Sequence, residues 1–253
     1  MLKKLIFILI FLLSAMTAQA DIDEVLGIGT IDEPLGIGTV DEFLGQTVVA
    51  PAGETYENLT TFTESDDTAG VLSQTTTRSQ ATALKRVDTG YVYKDYTATH
   101  FDTAFTHDVD VYITSGDSTG HFGVWFVTNS PGTYQDMSTG VEIMVFTTST
   151  PGEHEIAIYD LSSKGTYDLY QSLSTSTTYY LRIIRSAGTF TCKIYSTDAD
   201  RDGDTGSNLL DTISILSGQT ATTFQYLGVA AARDAAGTAV ITAYGENYEL
   251  VSE

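Results

Sequence analysis

From about Leu59 to Val251 the chain is a train of short segments in which apolar and polar side chains alternate. The clearest are GYVYKDY (Gly90–Tyr96), HDVDVYI (His107–Ile113), YYLRIIR (Tyr179–Arg185), TFTCKIY (Thr189–Tyr195) and AVITAYGENYEL (Ala239–Leu250). Alternation at period two sends one set of side chains to each face of a strand, which commits the chain to β structure. Fourteen strands are expected: 60–64, 70–77, 81–87, 91–96, 108–114, 121–128, 141–147, 155–160, 167–173, 179–185, 189–196, 209–215, 225–231 and 239–250. Turn chemistry separates them, as in Ser115-Gly116-Asp117, Asn129-Ser130-Pro131-Gly132 and Ser186-Ala187-Gly188. Many short strands without helices predict an all-β fold, a two-sheet antiparallel jelly-roll sandwich.

The first residues read as an export leader. Lys3 and Lys4 precede the apolar run Leu5–Leu13, and Ala18-Gln19-Ala20 is a small-residue cleavage site. The run is shorter than the roughly 20 apolar residues a membrane helix needs. A mature chain from Asp21 with no membrane span is therefore expected, secreted or held at the cell surface. The formal charge of −21 becomes −23 once Lys3 and Lys4 are removed. A phosphate backbone would be repelled, so no nucleic-acid partner is expected. Cys192 is the only cysteine, which excludes an internal disulfide and suits a small apolar core residue.

Between leader and domain lies a repeat of period nine. Its copies are DEVLGIGTI from Asp23, DEPLGIGTV from Asp32 and DEFLGQTVV from Asp41. Three copies are too few to stack into a solenoid. Residues 21–53 are expected to form a semi-extended tether. The alternative is a docking motif, with Leu26, Leu35 and Leu44 giving multivalent self-association or scaffold docking through residues 23–49. The sandwich domain is expected over 54–253.

The stretch YVYKDYTATHFDTAFTHDVDVYITSGD, followed by HFGVWFVTN, resembles the N-terminal half of concanavalin A-like lectin/glucanase domains. The hairpin TYYLRIIRSAGTFTCKIYS, then LLDTISI and ITAYGENYEL, is similar to their C-terminal half, including laminin-G-like members. The resemblance implies two facing sheets that bind glycans on the concave sheet or at the loop rim.

The glucanase branch of that family carries Glu-x-Asp-x-x-Glu or Glu-x-Asp-x-Glu on one strand. Retaining hydrolysis needs two carboxyl groups about 5 Å apart. In VEIMVF, Glu142 stands at the nucleophile position, but Met144 replaces the Asp, and Phe146 and Thr147 replace the second acid. Glu153 and Glu155 are followed by Ala157 and Ile158. No Gly-x-Ser-x-Gly elbow or phosphate loop is present, and His100, His107, His121 and His154 are scattered like surface or turn residues. A non-catalytic protein is expected.

Binding residues are sought on the polar faces of the strands. Asp108, Asp110 and Tyr112 oppose Val109, Val111 and Ile113, while Tyr159 opposes Ile156 and Ile158. Arg182 opposes Leu181 and Ile183, and Tyr195 opposes Cys192 and Ile194. Aromatic rings beside carboxylates and guanidinium groups suit a glycan: C–H groups stack on the ring and hydroxyls are hydrogen-bonded. Trp125 has apolar neighbours on both faces and reads as core. Asp198, Asp200, Asp202 and Asp204 alternate ahead of and around Gly203, a spacing that can bring oxygens onto a hard cation, Ca2+. The reading is a secreted, non-catalytic carbohydrate-binding or adhesive module, calcium-assisted. Its alternatives are a self-assembling surface protein using the repeat, and a glycanase with an unrecognised site.

Overall fold

The computed structural model describes residues 56–65, 71–97, 100–148, 153–219 and 222–252. The leader and the period-nine repeat lie outside them. The strands, in chain order, are β1 (Thr63–Ser65), β2 (Leu72–Gln74), β3 (Arg78–Lys85), β4 (Tyr91–Asp95), β5 (Ala104–Gly116), β6 (His121–Thr128) and β7 (Val141–Thr147). They continue with β8 (His154–Asp160), β9 (Tyr167–Leu173), β10 (Thr178–Ser186), β11 (Thr189–Tyr195), β12 (Leu209–Leu216), β13 (Tyr226–Ala231) and β14 (Val240–Ser252). One short helix, α1 (Asp198–Asp202), sits between β11 and β12.

These strands form two seven-stranded antiparallel sheets. One runs β12-β11-β10-β5-β14-β3-β2 and is called here the β5 sheet; the other, the β6 sheet, runs β1-β4-β13-β6-β7-β8-β9. The alternation read from sequence sets which side chains meet between them. Val109, Val111 and Ile113 of β5, Leu181 and Ile183 of β10, and Cys192 and Ile194 of β11 face Phe122, Ile143, Val145, Ile156 and Ile158 of the other sheet. Burial of each large apolar side chain contributes about 1.5–3 kcal/mol. Cys192 is fully buried, and burial pushes its thiol far above the usual range, so it is an inert core residue.

The β6 strand is buried at every position. A register shift between Gly123 and Trp125, where β6 pairs with β7, turns both Val124 and Trp125 into the core. Phe126 is left on the opposite face, where a second apolar cluster of Phe126, Tyr134, Met137, Met144, Leu161 and Ala231 covers the sheet. Three of the histidines differ from the expectation of surface or turn positions: His107, His121 and His154 are buried. Each belongs to a strand, and His107 accepts a 3.2 Å hydrogen bond from the Trp125 indole N–H. No helix among the described residues is long and apolar enough to cross a membrane.

Candidate functional site

The outer surfaces of the two sheets differ. On the β5 sheet, α1 packs against β10 and β11. Thr197 caps the helix from an extended conformation, and Asp198 and Asp200 in its first turn suit the positive end of the helix. The helix places Arg201, fully buried, over the carboxylates of β5. Its Nη1 lies 2.5 Å from Asp110, its Nη2 2.5 Å from Asp198 and its Nε 3.1 Å from Asp202. Asp108 takes a forked pair from Arg182, at 3.0 and 2.6 Å. The Asn247 amide donates to Asp110 at 2.8 Å. Asp108 and Asp110 therefore point away from the core as alternation requires, yet both are buried.

Four carboxylates thus crowd two guanidinium groups. Burial raises the Asp110 carboxyl from 3.8 to about 6, against the opposing pull of Arg201. Folding then favours the protonated form, so Asp110 contributes stability below 3.8 that is lost as the pH rises toward 6. Relative to Asp110→Asn, the wild type is expected to lose stability steadily over that interval in urea titrations. A difference that stays flat, or grows in favour of the wild type, would contradict this ionisation.

The remaining acidic residues of the expected calcium loop are also committed to donors. Asp200 accepts from Thr197, from Thr205 at 2.6 Å and from the Asn208 amide at 2.6 Å. Asp204 accepts from Lys193 at 2.7 Å and from the Tyr195 hydroxyl at 2.5 Å. Those bonds hold both carboxyls below the usual range. Asp198 and Asp202 share Arg201, while Asp200 and Asp204 each bond a separate set of donors. Among the described residues no group of three or more His, Cys, Asp or Glu side chains is placed to hold a metal ion.

The residues read from sequence are therefore split. Asp108, Asp110 and Arg182 come together under α1, and Tyr195 is buried at the end of β11 against Asp204. Tyr112 stacks on Tyr244 with ring centres 4.9 Å apart, on the same sheet. Tyr159 belongs to the other sheet, and there it has the company the sequence reading missed.

The outer face of the β6 sheet carries two groups of tyrosines. Tyr91 and Tyr93 of β4 stack 5.8 Å apart, and Tyr226 of β13 meets Tyr93 edge-on at 5.7 Å. Tyr159 of β8 lies 5.3 Å from Tyr167 of β9 and 5.5 Å from Tyr134, which belongs to the loop after β6. The loop is pinned by the Tyr134 N–H donating to the Ala232 carbonyl at 3.0 Å. Two glycines make room beneath. A Cβ at Gly228 would lie 1.8 Å from the Phe126 ring, and one at Gly123 would lie 1.9 Å from a Glu142 oxygen.

Glu142 sits in the niche over Gly123, fully buried, and neither of its oxygens has a hydrogen-bond partner. Burial holds its carboxyl well above the ordinary range, with Arg233 and Lys164 pulling the other way. His121, two residues before Gly123, is lowered to about 3 by burial and by Arg233 and Arg86, so its imidazole is neutral. The Arg233 guanidinium lies over the Tyr134 ring at 5.1 Å. Burial also pushes the Tyr159 hydroxyl up to about 12. The face thus combines half-buried aromatic rings with Arg233 and Lys164, cations that form no ion pair among the described residues. The tyrosine pair of GYVYKDY, opposed by core Val92, was the sequence signal for it.

No family model and no curated protein matches the chain. Solved structures do resemble it. A functionally unknown protein from Saccharomyces cerevisiae is 12% identical over 78% of this chain and 98% of its own, with a TM-score of 0.49. The legume lectin-like domain from Entamoeba histolytica is 14% identical over 76% and 91%, at 0.49. The exoplasmic/lumenal domain of VIP36 in its Ca2+/Man2-bound form is 13% identical over 76% and 82%, at 0.49. The strand order itself defines the class: two facing seven-stranded antiparallel sheets, a jelly-roll sandwich.

Proposed function

We propose that this domain is a non-catalytic carbohydrate-binding module that takes glycans on the tyrosine-lined face of the β6 sheet. The observation that carries the reading is the pair of tyrosine groups flanking buried Glu142. Half-exposed rings held by their neighbours offer stacking area at small entropic cost, as sugar C–H faces require. Hydrolysis at Glu142 would need a second carboxyl close by. The charges acting on Glu142 are instead the cations Arg233 and Lys164.

The leader and the repeat extend this reading to an exported adhesive protein whose binding domain is carried on residues 21–53. The three-fold regularity of the repeat favours a second reading, self-assembly through residues 23–49. Concentration-dependent association that disappears on deleting 21–50 would support it. Calcium enters only as an ion that would displace the donors of Asp198, Asp200, Asp202 and Asp204.

The test is retention on an immobilised polysaccharide panel, with calcium and with a chelator. Replacing Tyr93 and Tyr226 together by alanine should weaken binding to the retained glycan by roughly 30-fold, about 2 kcal/mol, the scale of buried aromatic anchors. Far-UV spectra should stay close to wild type and melting should fall by only a few degrees, since both side chains are half-buried on the outer face and outside the main core. Undiminished retention by that variant would remove the β6 face from consideration.

A further inference from the structure

The chain contains 33 acidic and 12 basic residues, so potential acidic partners outnumber the cations. Arg78, Arg182 and Arg201 are ion-paired. Arg185 donates to four backbone carbonyls. Arg86 and Arg233 differ: no ion pair among the described residues uses either, and the buried Nε of each has no hydrogen-bond partner. Arg86 follows β3 of the β5 sheet, whereas Arg233 follows β13 and lies 5.1 Å from the Tyr134 ring on the β6 face.

The register fixes that place. Ala231 of β13 pairs with Gly123 of β6 on one side and with Tyr91 of β4 on the other. Arg233 follows two residues later, at the level of His121. Glu142 reaches over Gly123 and next to Ala231 from β7. A guanidinium with no ion pair among the described residues, a fully buried carboxyl and a stacked tyrosine pair therefore lie along this register. In a chain this acidic, an arginine outside the ion pairs of the described residues makes a local positive spot.

Resting on the carbohydrate reading, we infer that the ligand is an acidic glycan whose sugar carboxylate is received by Arg233, with its ring stacked on the adjacent tyrosines. A carboxylate matches the planar fork of a guanidinium through two parallel hydrogen bonds. Burial disfavours the ionised form of Glu142, which lies fully beneath this surface and so opposes an approaching carboxylate less than an exposed acid would. The overall charge of −21 opposes a polyanion at long range. At physiological ionic strength that field is screened within about 8 Å, so local cations decide.

The experiment measures retention of the purified protein on three polyuronates: polygalacturonate, polymannuronate and hyaluronate. Their carboxyl-reduced forms, a sulfated galactan and the neutral panel serve as comparisons, all at physiological salt. The expected result is preference for a polyuronate over its reduced form by about tenfold or more, as one charged hydrogen-bonded pair provides. Arg233→Gln should abolish that preference with melting unchanged, and Arg233→Lys should restore part of it. Equal retention of the reduced polymer, a stronger preference for sulfate, or a preference that survives Arg233→Gln overturns the inference. Retention of neutral glycans alone overturns it too, while the carbohydrate reading stands. Retention of nothing overturns both.

Discussion

Arg201→Met is expected to destabilise the domain by about 3–5 kcal/mol, the usual cost of removing one partner from a buried charge cluster. Methionine fills much of the arginine volume, so the loss is electrostatic. Asp108 and Asp110 would remain buried, with Arg182 alone for two carboxylates. For a domain of this size the melting point should fall by roughly 6–20 °C. Adding Asp108→Asn and Asp110→Asn to Arg201→Met should recover at least half of the loss, because neutral amides need no counterion. A loss below about 1 kcal/mol would mean that water reaches the cluster and the pairs behave as surface pairs.

The second large effect is expected at Arg185, which is also buried but has no ion pair among the described residues. Its guanidinium donates to the carbonyls of Ala187 at 3.1 Å, Asp102 at 2.8 Å, Gln219 at 3.0 Å and Thr222 at 2.6 Å. The rings of Phe224 and Phe190 lie 4.7 and 5.1 Å from its central carbon. Arg185→Met would leave several buried carbonyls unsatisfied at about 1–3 kcal/mol each, less what water recovers, for a net loss of about 3–5 kcal/mol. Arg185→Lys should recover less than half, since an ammonium lacks the fork that spans these acceptors. Full recovery by lysine would show that charge against the rings, and not the forked bonding, holds this corner.

Strand positions were legible because each strand carries its own alternation. The expected 121–128 and 141–147 coincide with β6 and β7, and β5 differs only by being longer at both ends. Strand order was not legible. β14 lies between β3 and β5, a placement decided by contacts far apart in sequence, which alternation does not encode. Trp125 was read correctly as core, but not the bulge at Gly123 that puts Val124 beside it. The acidic run at 198–204 was read by the spacing of its carboxylates. The arginine in its middle decides the outcome, since Arg201 takes Asp198 and Asp202 as its partners. Glu142 was visible as an isolated acid on a strand. Its neighbours were not, because Arg233, Tyr134 and Tyr91 reach it from separate segments, joined only by the register of β13, β6 and β4.

The described domain begins at Tyr56, which forms a β-bridge with Glu249 of β14, and the Glu57 N–H donates to the Tyr248 carbonyl at 2.7 Å. The bridge is antiparallel, so entry and exit of the fold lie side by side and leave in the same direction. Tension between these two ends would load one backbone pair at a time and unzip it, instead of shearing a whole ladder at once. Force arriving at one end and leaving through a bound polymer would take another path, spread across many strands in parallel. A protein that holds on by its sheet face and is pulled from Tyr56 would thus resist far more than one pulled between its two ends.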